Sequence, residues 1–269
     1  FGGYNRYVYG SQILTRVNRI PRIMRQPVGA GLGSVSAPAW DRLSHLTAAV
    51  LPVPQDHFGE RVHKLGHLLN AGSMSDMYRS LMSAWQEPEA LLGADLLDGV
   101  RSDEDVTTRI MDGSSPPDLL DRMMLADQMT YLSDDLLAKV DRASMAVSLE
   151  VRAPLLDHKV VEFSWRLPQA MKVRGAVGKR ILRDVLYRRV PRQLIERPKM
   201  GFSVPIDSWL PGPLRNWARD LLFSDRSGWF DTTALTRAWN DLREGRPRAG
   251  TAIWAAVMLQ AWRARWSVA

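Results

Sequence analysis

Where apolar residues in this chain recur at a fixed interval, the interval is, with one short exception, that of a helix. Ile253, Trp254, Val257, Met258, Ala261 and Trp262 lie at i, i+1, i+4, i+5, i+8 and i+9, one stripe on a 3.6-residue repeat. Ile181, Leu182, Val185 and Leu186 repeat that spacing, as do Leu119, Leu120, Met123 and Met124 behind Pro116-Pro117-Asp118. Val160, Val161 and Trp165 form another stripe after Asp157, a residue type suited to an N-cap. Period-two alternation occurs only in Leu149-Glu150-Val151-Arg152-Ala153, which Pro154 stops. The pattern predicts a mainly α chain with at most one short strand.

Breaks are expected at Pro27–Gly33, Leu51–Pro54, Gly113–Pro117, Gly175–Gly178 and Pro211–Pro213. The Gly/Ser/Ala stretch from Gly29 to Pro38 reads as a flexible loop. No repeat of 20–50 residues and no sustained heptad register is present. Hydrophobic residues at 45% and charged residues at 24% exclude wholesale disorder in these 269 residues. The absence of cysteine excludes a disulfide scaffold, a thiolate metal site and a cysteine nucleophile in this sequence. No apolar run approaches the ~20 residues of a membrane span, and Phe1-Gly2-Gly3-Tyr4 has no signal-peptide character. A cytoplasmic chain that begins inside a longer protein is expected, since no initiator Met opens it. The formal charge is +7, and 30 of the 36 basic residues are Arg spread along the chain. A nucleic-acid groove wants them clustered on one face. The densest run, Tyr187–Arg192, reads as a solvated helix end. The ten Trp read as packing anchors rather than a base-stacking platform.

Four segments carry possible chemistry. In Arg174–Arg183 a glycine turn leads into an amphipathic helix with Lys179 at its start and Gly178 before it. Free N–H groups, a close-approach glycine and a mobile cation suit a phosphate; an ordinary loop with a solvated Lys has the same spelling. The spacing is not a Walker A loop, because only two residues separate the glycines and Arg180 follows the Lys. In Asp134–Met145, Asp135 and Lys139 form an i,i+4 pair with Asp141 beside them. That is either a surface pair or a mixed-charge wall for a zwitterionic substrate. In Leu149–His158, Glu150 and Arg152 share a face, as a buried brace or a substrate contact. In Glu196–Pro205, Arg197 and Lys199 flank a proline ahead of Gly201 and Phe202, a rigid cationic loop. His63 and His67 lie four apart but lack further ligands, so no metal site is expected.

Together and in this order, these segments resemble the synthetase domain of the glutamine-hydrolysing asparagine synthetases. The carriers are Tyr131–Ala146, reading YLSDDLLAKVDRASMA, and Ser148–His158, reading SLEVRAPLLDH, where the family usually has Val-Pro-Phe-Leu-Asp. Gly178–Arg183 and Arg197–Phe202 match as well, and Phe1–Tyr7 is similar to the tail of the family's Asp-Glu-Leu-Phe-Gly-Gly-Tyr motif. The likeness is specific from Tyr131 to about Arg215, and general between about Val8 and Leu120 and beyond about Leu222.

The resemblance implies that residues 1–269 are the helical C-terminal portion of an α/β synthetase domain. That domain is of the PP-loop ATP pyrophosphatase type (adenine nucleotide alpha hydrolase-like). The PP-loop sheet and the N-terminal glutaminase domain would lie outside this sequence. It implies ATP-dependent adenylation of the aspartate side-chain carboxylate, then attack by glutamine-derived ammonia to give asparagine, AMP and pyrophosphate. Lys179 would be the catalytic cation on the pyrophosphate, with Gly178 beside it. Lys139, Asp135 and Asp141 would line the substrate pocket, and Arg197 and Lys199 would sit near the phosphates. Glu150 and Arg152 are assigned to structure. The cofactors would be ATP and Mg2+, held mainly by the upstream part. The partners would be aspartate, ATP and ammonia, the glutaminase domain of the parent chain and a second copy in a homodimer, with neither nucleic acid nor membrane. These 269 residues alone are expected not to turn over. Rivals within the family are β-lactam synthetases and lasso-peptide cyclases, in which a Tyr–Glu pair can act as base, and amidotransferases of natural-product or exopolysaccharide clusters. Rivals from other classes are a basic helical nucleic-acid-binding module, whose affinity would fall steeply with salt, and a catalytically dead interaction domain.

Overall fold

A computed structural model describes residues 1–47, 58–83, 85, 88–93, 105–196, 204–224, 228–245 and 249–266. The chain divides into two compact units. The first comprises residues 1–36, 62–81 and 103–199, the second residues 37–61, 82–102 and 200–269. The described part is mainly α, and one two-residue antiparallel pair is its sheet.

In the first unit the helix Leu119–Met129 is central. It packs on the helices Val106–Asp112 and Ser11–Asn18 and on the turn Arg6–Gly10. Its apolar stripe supplies Leu120, Met123 and Met124, which are buried, as are Leu14, Met77 and Met111 of this unit. Methionine-rich packing suits such irregular helix crossings. Asp118 begins this helix by accepting from the Leu120 N–H at 2.8 Å, and Asp105 caps the helix before it through the Thr108 N–H at 2.7 Å. Asp157 is the expected N-cap of His158–Arg166, accepting from the Lys159 N–H at 2.9 Å. Each satisfies an N–H that the first turn leaves without a helical partner. Two wide π-helical turns, Arg6–Gly10 and Tyr131–Leu137, interrupt the α geometry. A π-turn adds a residue to the ladder and re-aims the side chains that follow.

Two sequence expectations are corrected in this unit. The glycine-rich stretch from Gly29 is not a flexible loop: a helix runs from Arg22 to Ser34 with Pro27 inside it. The glycine at 29 serves packing, because a Cβ there would stand 2.5 Å from Asn70 Oδ1 and 2.8 Å from the Gly66 carbonyl oxygen. Close backbone approach between two helices, rather than freedom, is what Gly29 provides. Nor does Leu149–Ala153 form a strand; Leu149 and Val151 have no neighbouring strand and stay exposed. The strands present are β1 (Val173–Arg174) and β2 (Val177–Gly178), paired Val173 to Gly178 and Arg174 to Val177. Gly175, at φ +57, takes the first loop position, which a type II′ hairpin reserves for glycine.

The second unit is built on the long helix Ala249–Trp266, which packs on Ile206–Trp209, Arg215–Phe223 and Thr232–Arg243. Leu210, Leu222, Leu235, Trp239, Ile253 and Val257 form its core. The buried face of the long helix runs through Ile253, Ala256, Val257, Gln260 and Arg263. In the second column of the predicted stripe Trp254 packs against the core, while Met258 and Trp262 turn outward, Trp262 being 50% exposed. In its place Arg263 is buried, its guanidinium 3.8 Å from the Trp229 ring centre and donating to Gln260 at 3.0 Å. The break at Pro211–Pro213 falls between helices as expected. The break expected at Leu51–Pro54 lies outside the described residues.

Candidate active site

The hairpin explains where Lys179 stands. β2 ends at Gly178, and the next residue must swing the chain into the helix Arg180–Leu186. Lys179 makes that corner with φ 54 and ψ 34, the left-handed region. This costs a residue with a Cβ roughly 1–2 kcal/mol. The Lys179 N–H donates to the Phe1 carbonyl at 3.1 Å. A Cβ on Gly178 would overlap the Gly2 carbonyl oxygen, so residues 1–3 lie along the edge of β2. The helix behind the corner has only seven residues, so the positive charge at this corner is that of the lysine rather than of a long helix dipole.

Lys179 borders a cavity of about 380 Å³ in the first unit. Gly2, Gly3 and Tyr4 form one wall, Tyr131 and Trp165 another, and Leu155, Leu156 and Leu182 add apolar surface. Beneath it lies a buried ionic cluster. Asp127, 3% exposed, accepts from the hydroxyls of Tyr7 and Tyr78 and from Arg6 Nε at 2.8 Å. The Arg6 guanidinium stacks on Tyr4 at 4.1 Å and Tyr131 at 5.1 Å from their ring centres. Both π-turns thus deliver members of the cluster, Arg6 and Tyr7 from one and Tyr131 from the other.

The electrostatics follow from burial. Desolvation, then the Asp127 carboxylate, raises the Tyr7 and Tyr78 phenols far above the ordinary tyrosine range. Burial opposes the Arg6 charge, but Asp127 outweighs it and holds the guanidinium charged. Burial and the adjacent Tyr131 raise the Tyr4 phenol, with smaller pushes from Asp127 and Asp135. Lys172, which also borders the cavity, is committed to Asp121 at 2.8 Å and lies 5.1 Å from the Trp165 ring centre. Lys179 makes no ion pair and no side-chain hydrogen bond among the described residues, and its side chain is exposed.

The other sequence candidates are placed less centrally. Asp135 and Lys139 do pair, at 3.8 Å, but 55% and 64% of their side chains are exposed. Neither they nor Asp141, exposed on the helix Ala138–Met145, line the cavity. The nearest link is Asp135 acting on Tyr4. Arg197 and Lys199 lie outside the described residues. Glu150 and Arg152 meet at 2.7 Å, but with 67% and 85% exposure they are no buried brace. His63 Nε2 donates to the Val35 carbonyl, 2.7 Å away. No group of three or more His, Asp or Glu suits a metal among the described residues. A Tyr–Glu pair does occur: the Tyr187 hydroxyl donates to Glu196 at 2.7 Å, and Arg183 donates to the Tyr187 oxygen at 3.0 Å. It lies eight positions past Lys179, about 12 Å along a helix, and does not border the cavity. Asp127 escaped the sequence reading although its signal was there. It continues the stripe Leu120, Met123, Met124 by i+7, a carboxylate at a core position.

Comparison with known proteins covers nearly the whole chain. The family model described as asparagine synthase matches residues 1–264. A Mycobacterium tuberculosis protein named for glutamine-hydrolysing asparagine synthetase is 35% identical over 202 residues, 73% of this chain and 31% of that protein. Bacillus subtilis glutamine-hydrolysing asparagine synthetase 1 is 34% identical over 118 residues, 44% of this chain and 19% of that protein. The human glutamine-hydrolysing asparagine synthetase is 36% identical over 81 residues, 29% of this chain and 14% of that protein. The chain spans about a third of the length of the mycobacterial relative, 31%. No solved structure matches. A match that begins at Phe1 and runs through the hairpin and both units makes this chain a member of the asparagine synthase family.

Proposed function

We propose that this chain is the helical part of an ATP-dependent carbon–nitrogen ligase. The enzyme adenylates the side-chain carboxylate of aspartate and passes glutamine-derived ammonia to it, giving asparagine, AMP and pyrophosphate. The observation that carries the reading is Lys179: a cation without an acidic partner, held on a left-handed corner at the mouth of a cavity. Strained backbone at such a place is retained when function needs the side chain there. Charge builds on the pyrophosphate as the acyl-adenylate forms, and an ammonium placed at that charge lowers the barrier. The rest of the cavity's charge is balanced internally, Asp127 by Arg6 and Lys172 by Asp121, so the anion is drawn to Lys179. The described residues offer no donor set for Mg2+. ATP supplies the activating nucleotide, and this chain's part is to hold the departing phosphates.

The reading extends to a cytoplasmic enzyme with a glutaminase domain in the parent chain and a second copy as partner. Among the described residues no helix is long and apolar enough to cross a membrane. The nucleic-acid alternative is weakened by how the arginines are spent. Arg6, Arg25 and Arg263 are buried or half-buried inside the units rather than gathered in one stripe. The test is aspartate-dependent ATP–pyrophosphate exchange by the intact protein. Lys179→Ala should slow it by about 10²–10³-fold, the usual cost of removing one such stabilising group. Exchange that persists unchanged in the variant would refute the assignment. Exchange with another carboxylate, but not aspartate, would move the chain to the specialised amide-forming branch.

A further inference from the structure

We infer that Gly3 is the positioning residue for the Lys179 ammonium: the hydrogen at its Cα leaves the trough in which the lysine side chain lies. The inference rests on the reading of Lys179 as the pyrophosphate cation. A Cβ built on Gly3 would overlap Lys179 Cε and lie 3.3 Å from Nζ and 3.5 Å from Cδ. The three nearest atoms all belong to that one side chain. Gly3 has an ordinary φ, so its backbone does not call for glycine.

Gly2 differs in both respects. Its φ is +65, and a Cβ there would strike Val173 and approach the Lys172 backbone. Gly2 is therefore glycine for the sake of the chain path and the hairpin. Gly3 is glycine for the sake of Lys179.

The physical consequence is a loss of freedom. A solvated lysine spreads its ammonium over many rotamers. Here the stem starts from a fixed left-handed corner, tethered through the Lys179 N–H to the Phe1 carbonyl. Its last methylenes then lie on Gly3, which leaves the ammonium at the cavity mouth before any substrate arrives. A methyl on Gly3 displaces only the far end of a flexible side chain, so the fold can accept it while the ammonium cannot keep its place. Misplacing a catalytic group by about 1 Å costs as much as 10²-fold in rate.

The experiment is a double-mutant cycle in the intact protein, with Gly3→Ala, Lys179→Ala and the pair together. The readouts are aspartate-dependent ATP–pyrophosphate exchange and the urea midpoint. Gly3→Ala is expected to lower the exchange kcat by about 10–100-fold and to leave the KM for aspartate within about twofold, as loss of an interaction made only in the transition state requires. The double variant should be no slower than Lys179→Ala, because the methyl then has nothing to displace. Any stability lost in Gly3→Ala should return in the double variant, so a poorly folding single variant still decides the matter. Losses that multiply, or a stability cost that survives removal of the lysine side chain, overturn the inference. So does Gly3→Ala exchanging at the parent rate while Lys179→Ala is slow, which leaves the Lys179 reading intact. Lys179→Ala exchanging at the parent rate sinks that reading instead.

Discussion

Lys179→Gly and Lys179→Ala remove the same ammonium but ask different things of the backbone. Lys179 sits at φ 54 and ψ 34, at the N-terminal boundary of Arg180–Leu186. Alanine keeps the clash between Cβ and the carbonyl that makes this region unfavourable, roughly 1–2 kcal/mol. Glycine abolishes it, at a cost of about 0.5–1 kcal/mol for the extra freedom of the unfolded chain. Glycine is also the better residue at a helix N-cap, where alanine is among the poorest. The net expectation is that Lys179→Gly exceeds Lys179→Ala in stability by about 1 kcal/mol, the reverse of their order in a helix interior. Urea titrations followed by circular dichroism read this directly. With slopes of about 1–3 kcal/mol per molar, the midpoints should differ by roughly 0.3–1 M at equal slope. Both variants should fail in ATP–pyrophosphate exchange. Alanine equal to or more stable than glycine would refute the claim that this corner is strained. It would also remove the argument that the lysine is kept there against the preference of the backbone.

Other expectations are more local. Asp127→Asn leaves the Arg6 charge without its counter-ion and should cost on the order of 3 kcal/mol, read from the same titrations; a loss below about 0.5 kcal/mol would contradict the buried cluster. Tyr7 and Tyr78, raised by burial and then by Asp127, stay protonated in the native state after the unfolded chain has begun to lose those protons. Their contribution to stability is complete below the ordinary tyrosine range and falls as pH rises above it. Absorbance at 295 nm should therefore show these two phenols titrating only with unfolding. Two phenols ionising early in the native state would oppose this. Gly29→Ala should cost about 1–3 kcal/mol by prising apart the helix Arg22–Ser34 and the helix carrying Gly66 and Asn70. Helix propensity alone would instead make that substitution stabilising, so the sign of the change separates the two accounts.

The sequence and the structure agree where local rules decide. Helices begin behind Asp118 and Asp157 because a side-chain oxygen there meets a free N–H, and that is written in the order of residues. The turn before Arg180–Leu186, with Lys179 at the helix start, is legible as glycines around a lysine, whereas the pairing of Val173–Arg174 with Val177–Gly178 and the left-handed φ of Lys179 are not. What was hidden is long-range. Gly29 looked like a loop residue because only the facing helix, with Gly66 and Asn70, shows why a side chain is excluded. Asp135 and Lys139 looked like a pocket wall, and their spacing is equally that of an exposed i,i+4 pair. The cluster joins Arg6 and Tyr7 of one turn, Tyr78 of a second segment and Asp127 of a third, and no local pattern joins them. The facing of the last helix is not legible because spacing fixes a stripe's period, whereas its facing depends on what packs against it. Arg263 takes a core position with Trp229 over its guanidinium and Gln260 accepting from it.

The clasp between residues 1–3 and the hairpin joins positions 3 and 179, which stand 176 apart in the chain. Bringing such distant points together costs about 4–5 kcal/mol of loop-closure entropy. The helices and the hairpin can each form from near neighbours before that cost is met, in the order expected when local contacts precede distant ones. A refolding chain will therefore regain its helical signal ahead of a seated Lys179, and recovery of exchange activity will lag behind recovery of ellipticity. The same dependence acts in reverse. An opening of the Phe1–Gly3 segment that leaves every helix intact is enough to set the ammonium adrift, so the role proposed for Lys179 hangs on one of the least local contacts in the molecule.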